Sequence, residues 1–150
     1  MSNPIRTISW SFSDCSKLYP ELPNNKIYAR GPEDVYRNFL FLFKEQVRER
    51  FIVFWLNSAN RVIGFEVISE GILNSSLVHP REIFRGAIVA TCASIIVAHN
   101  HPSGNGEPSA EDIAITKQVL QAGKIVGIPL RDHIIFTEES FTSFAERGLL

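Results

Sequence analysis

Apolar residues are clustered in short runs along this chain rather than spread evenly. Phe51-Ile52-Val53-Phe54-Trp55-Leu56 is rich in β-formers and lacks alternation, which predicts a strand buried on both faces. Asn57-Ser58-Ala59-Asn60 supplies turn chemistry, so 61–69 reads as the second strand of a hairpin. Ser94-Ile95-Ile96-Val97-Ala98 predicts another buried strand, and 130–136 a further one led in by Gly127-Ile128-Pro129. Helical spacing appears between them. Gly31-Pro32-Glu33-Asp34 opens a helix whose apolar face runs through Val35, Phe39, Leu40, Leu42 and Phe43 to about Glu45-Gln46. His79-Pro80-Arg81-Glu82 opens a second, through Phe84, Ile88, Val89 and Cys92. Ser109-Ala110-Glu111-Asp112 opens a third, to about Ala122. Residues 71–78 read as a short, partly extended stretch, and 141–147 as a last short helix. Pro20, Pro23 and Asn24-Asn25 punctuate a polar start, so residues 1–26 are expected to be an arm and 27–150 one domain. Alternating strands and helices place that domain in the α/β or mixed α+β class.

Composition narrows the function classes. A chain of 150 residues that is 45% hydrophobic buries roughly 68–70% of its unfolded surface, enough for a core without staples. Fifteen Lys+Arg against sixteen Asp+Glu give a net charge of -1, so composition offers direct DNA binding no support. Cys15 and Cys92 form no CxxC, which argues against a disulfide framework or a thiolate metal site. No apolar run approaches the ~20 residues of a membrane span, and the first residues do not read as a secretory leader. The expectation is a cytoplasmic globular domain without a membrane partner. Sequence sets no oligomeric state.

Among the four histidines, His99 and His101 stand two apart just past the predicted strand 94–98, so both side chains leave on one side. Ser109 and Asp112 follow at a helix start, after a loop dense in Pro, Gly and Asn that can fold the helix terminus back over the histidines. Two neutral imidazoles and one carboxylate make a three-ligand set with an open position, as in catalytic zinc sites. Taken singly, the parts have plainer readings: Ser109-x-x-Asp112 is also a capping box, and His99-x-His101 could be two loop histidines. Taken together, the pattern arises by chance in roughly one of thousands of such sequences.

His99-x-His101-x7-Ser109-x2-Asp112 resembles the metal motif of the JAMM (JAB/MPN) metalloenzymes. The wording His99-Asn100-His101-Pro102-Ser103-Gly104, then Pro108-Ser109, is similar to the RadC family in particular, as are Pro80-Arg81-Glu82-Ile83, Thr116 and Asp132-His133-Ile134-Ile135. That resemblance runs from about Ile27 onward and implies a JAMM/MPN-like, cytidine-deaminase-like mixed sheet flanked by helices. It implies zinc held by His99, His101 and Asp112, a strand glutamate as general base, and Ser109 as donor to the oxyanion. Glu66 matches the base position, with Glu70 as its rival. The implied activity is a zinc metallohydrolase acting on an amide, peptide or isopeptide bond of a peptide or protein. An alternative is a DNA-repair-associated binding module. The helix-hairpin-helix segment that precedes this domain in full-length RadC proteins is not in this sequence, and the charge also speaks against that alternative. A third reading, a metal-binding domain without catalysis, is opposed by the Glu66–Ser109 pair. His133 reads either as a hydrogen-bonded structural residue, the favoured choice, or as a group that orients a ligand. His79 reads as a helix-entry residue, and Arg81 and Glu82 as a surface pair.

Overall fold

A computed structural model describes residues 4–71 and 78–150. Five strands form one mixed sheet in the order β2-β1-β3-β4-β5. They are β1 (Glu49–Leu56), β2 (Val62–Gly71), β3 (Ser94–Asn100), β4 (Leu130–Phe136) and β5 (Phe141–Ser143), with helices α1 (Pro32–Phe39), α2 (Pro80–Val89) and α3 (Ala110–Val126). β1 runs antiparallel to both β2 and β3, β3 runs parallel to β4, and β5 returns antiparallel to β4. The predicted stretch 71–78 lies largely outside the described residues.

The period of two along β1 sorts its side chains onto two cores. Phe51, Val53 and Trp55 join Ile95 and Val97 beneath α2 and α3, with Ile83, Phe84, Ile115 and Val119. Ile52, Phe54 and Leu56 join Ile96, Ala98, Ile134 and Phe136 beneath α1, with Val35, Phe39 and Leu42. β3 lies between β1 and β4 and is buried along its whole length, as its unbroken apolar run requires. It also extends two residues further than 94–98. His99 therefore lies inside the strand, in register with Phe51 on one side and Ile135 on the other, while His101 lies just past its end.

Three other boundaries differ from expectation. α1 stops at Phe39, and a single tighter turn over Leu40–Leu42 replaces its last predicted turn. The chain must then reverse into β1, and Glu45 takes a positive φ of 61° to do so. α3 continues past Gly123 to Val126, and Gly127, with a φ of 75°, ends it in the left-handed region. Gly123 is an interior close approach, since a Cβ there would lie 2.6 Å from the Ile128 carbonyl oxygen. Residues 141–147 form β5 and turns, not a helix. Phe141, Thr142 and Ser143 pair with Phe136, Ile135 and Ile134. Asp132 then fixes the following turn by accepting from the Ser143 hydroxyl at 2.6 Å and the Ala145 amide at 3.0 Å.

Of the N-terminal arm, Tyr19 and Leu22 pack on the α1-side core and Phe12 meets the Trp55 ring edge-on at 6.2 Å, while Ile5, Ile8 and Trp10 are exposed. His79 caps α2 by accepting from the Arg81 amide at 3.1 Å, as a helix-entry residue does.

Candidate metal centre

The three predicted ligands converge. His99 comes from β3, His101 from just beyond it, and Asp112 from the first turn of α3, brought back by the 102–108 loop. His99 Nε2 lies 3.0 Å from His101 Nε2 and 3.2 Å from Asp112 Oδ1, and His101 Nε2 lies 3.2 Å from Asp112 Oδ2. Ligand atoms at about 2.0–2.1 Å around a tetrahedral ion lie about 3.3 Å apart, so the triangle is near the size such an ion needs.

The protons in this cluster can be traced from the hydrogen bonds. Thr116 donates its one hydroxyl proton to the Asp112 carbonyl at 2.6 Å, so its oxygen can only accept from His133 Nδ1, also at 2.6 Å. Complete burial, then the neighbouring His99, pushes the His133 pKa well below the usual imidazole value, so the ring is neutral and its Nε2 carries a lone pair. That lone pair accepts from His99 Nδ1–H at 2.7 Å. His99 Nδ1 is thereby committed to His133, and Nε2 is the ring nitrogen that faces Asp112. His101 Nδ1–H is likewise committed, donating to the Asn105 carbonyl at 2.7 Å. His99 Nε2, His101 Nε2 and the Asp112 carboxylate then face one another within hydrogen-bond distance. A cation satisfies this arrangement. The hydrogen bond to Asp112 raises the His101 pKa against the opposing effect of burial. Burial pushes the Asp112 carboxyl up, but hydrogen bonds from His101 and His99 hold it well below the usual carboxylate range.

Asp112 is at once a ligand and part of a capping box. Its Oδ2 accepts from the Ser109 amide at 2.8 Å, and its own amide donates to Ser109 Oγ at 3.1 Å. The two readings of Ser109-x-x-Asp112 describe one geometry. Because Ser109 Oγ accepts the amide, its hydroxyl hydrogen remains available to donate elsewhere. Glu49, Gly71, His101, Ser109 and Asp112 line a cleft of about 990 Å³ at this end of the sheet.

The structure does not bring Glu66 to this cluster. Glu66 is in register with Val53, whereas His99 is in register with Phe51. Two strand spacings of about 4.8 Å and a two-residue offset put their Cα atoms roughly 12 Å apart. The Glu66 carboxylate instead packs on Gly86 of α2 and pairs with Arg85 at 3.1 Å. Glu70 pairs with Arg50 at 2.8 Å, in register with Arg50 and not with Phe51, so it lies on the other face of the sheet. Among the described residues Glu49, Glu107 and Glu111 line the cleft beside Asp112, and of these Glu49 stands on the sheet itself. It stands two residues before Phe51, on the His99 face of the sheet. It lines the cleft, and its charge helps to raise the His101 pKa. His133, favoured as structural, contacts His99 directly and is boxed in by Phe144, stacked 4.5 Å away.

The relay has a measurable consequence. Thr116→Val removes the hydroxyl at constant shape, and His133→Ala removes the acceptor of His99 Nδ1–H. Each is expected to weaken metal binding by about 10–100-fold in Zn2+–chelator competition. Unchanged affinity in a folded variant contradicts the proton assignment.

A mixed sheet presenting His, His and Asp beside a helix N-terminus defines a JAB/MPN-type domain. Comparison with known proteins agrees: the RadC-like JAB domain profile matches residues 29–149. The chain belongs to the RadC family. It is 46% identical over 125 residues to a UPF0758 protein of Desulforamulus reducens, a match covering 83% of this chain and 55% of the relative. It is 41% identical over 134 residues to a UPF0758 protein of Methanosarcina mazei, covering 89% and 58% respectively. It is 44% identical over 120 residues to another in Geobacter sulfurreducens, covering 80% and 52%. The chain thus spans about half the length of these relatives. Among the described residues, no helix is long and apolar enough to cross a membrane.

Proposed function

We propose that this domain is a zinc-dependent hydrolase acting on an amide, peptide or isopeptide bond of a peptide or protein substrate. The observation that carries the reading is the cluster of two imidazole nitrogens and one carboxylate at the base of a cleft that Glu49 and Ser109 also line. Three protein ligands leave an open position, whereas a purely structural zinc is closed by four. Bound there by His99, His101 and Asp112, zinc would act as a Lewis acid and make water acidic enough to supply hydroxide near neutral pH. Glu49 takes the proton of the attacking water and passes it to the leaving amine. Ser109 donates its free hydroxyl hydrogen to the oxyanion that develops on the carbonyl. Asp112 stays ionised at the helix N-terminus, where the α3 dipole and the Ser109 amide favour negative charge. A net charge of -1 gives the nucleic-acid reading no comparable support.

The test is metal removal. Protein loaded with Zn2+ is expected to cleave members of a peptide and isopeptide library followed by mass spectrometry. Chelator should abolish the cleavage and added Zn2+ restore it. Stoichiometric zinc binding with no cleavage across the library would overturn the hydrolase reading.

A further inference from the structure

We infer that Asn100, which stands between the two histidine ligands but faces away from them, is the positioning residue for Glu49. This inference rests on the assignment of Glu49 as the base.

The β1–β3 ladder ends at the pair Phe51–His99. Continued antiparallel pairing would set Arg50 opposite Asn100 and Glu49 opposite His101. At that point the side chain of Asn100 takes over from the backbone. Its Oδ1 accepts from the Arg50 amide at 2.7 Å, and its Nδ2 donates to the Arg48 carbonyl at 3.1 Å. One side-chain amide therefore holds the peptide groups on both sides of Glu49. On the opposite edge, Glu49 is in register with Gly71 of β2.

Asn100 is only 4% exposed, so both of its bonds are sheltered from competing water. Side chains alternate along an extended chain, which sends His99 and His101 to the cleft and Asn100 to the reverse face. On that reverse face Arg50 adds a second anchor. Its guanidinium donates to the Leu42 carbonyl at 2.7 Å and pairs with Glu70. With residues 48 and 50 tied down, the strand keeps its pleat through Glu49, and the carboxylate is directed to the cleft face beside His101. The middle residue of His-x-His thus sets where the base stands, while the outer two hold the metal.

The test uses the metal alone. The visible absorption of Co2+ bound at the site reports groups that face its open position. Glu49→Gln is expected to shift that spectrum, and Asn100→Ala to shift it in the same sense. The double variant should shift no further than Glu49→Gln. Co2+ and Zn2+ affinities should stay within about threefold throughout, because no ligand changes. Hydrogen exchange at the Arg50 amide should speed up in Asn100→Ala and stay unchanged in Glu49→Gln. Asn100→Asp keeps the volume and the acceptor for the Arg50 amide but changes the donor to Arg48, so it should fold and shift the spectrum part of the way. It carries the test if Asn100→Ala does not fold. A folded Asn100 variant with the unchanged protein's spectrum, beside a shifted Glu49→Gln, overturns the positioning role and leaves Glu49 as the base. An unshifted Glu49→Gln removes the base assignment itself, and this inference with it.

Discussion

His101→Ala protein is expected to purify with almost no zinc, where the unchanged chain should carry about one ion per chain by elemental analysis. The substitution removes one corner of a triangle whose edges are 3.0 and 3.2 Å at that corner. Two ligands remain, and they are too few to compete with water for a divalent ion. His101 makes the cleaner test because it lies past the end of β3 and packs less deeply than His99. His99 is fully buried and holds the relay to His133, so its removal opens a cavity and costs stability as well as metal. A cooperative melt close to that of the unchanged metal-free protein should therefore accompany the zinc loss in His101→Ala. Full zinc retention in this variant would remove the ligand assignment.

The second large effect separates two carboxylates. Glu49→Gln is expected to lower kcat/KM on a cleaved library peptide by about 10²–10⁴-fold, the range for losing a general acid–base, with zinc stoichiometry unchanged. Glu66→Gln should leave both quantities close to their starting values. Its partner Arg85 is 57% exposed, and such surface pairs contribute no more than about 1 kcal/mol to stability. The contrast follows from register: Glu49 is on the cleft-lining end of β1, and Glu66 is on β2 against α2. If Glu66→Gln abolishes activity while Glu49→Gln preserves it, the base stands where the resemblance had implied and the proposed role of Glu49 is lost.

This contrast also marks what the sequence makes legible. The three ligands and Ser109 depend on local rules. Two residues apart on an extended chain share a face, and a serine three before an aspartate at a helix start brings both to one spot. Those rules act within a dozen residues, so His99, His101, Ser109 and Asp112 can be read together. Glu49 depends on something else. It comes to line the cleft with His101 only because β1 pairs antiparallel with β3, joining segments about forty residues apart in the register Phe51–His99. Hydrophobic pattern shows that both segments are buried strands, but not that they are neighbours or how they are aligned. Glu66 shares the correct face, and the pairing of β1 with β2 sets it two residues too far along. The direct contact of His133 with His99 is hidden for the same reason, since parallel pairing of β3 with β4 carries its ring there. The helix expected over 141–147 failed on a smaller scale. Three residues of strand have almost no periodicity, and long-range capture of Ser143 and Ala145 by Asp132 decided the outcome.

The relay has one more consequence. From Asp112 the bonds run to Thr116 one turn later on α3, then to His133 on β4 and to His99 on β3, whose Nε2 faces the Asp112 carboxylate again 3.2 Å away. The path closes on itself and stitches three elements into one ring. Each of its hydrogen bonds fixes the donor and acceptor roles of the next group, so a change at one link is felt at its neighbours. Drift in the surrounding surface can reshape what the cleft accepts. The ring itself should change as a unit or stay as it is.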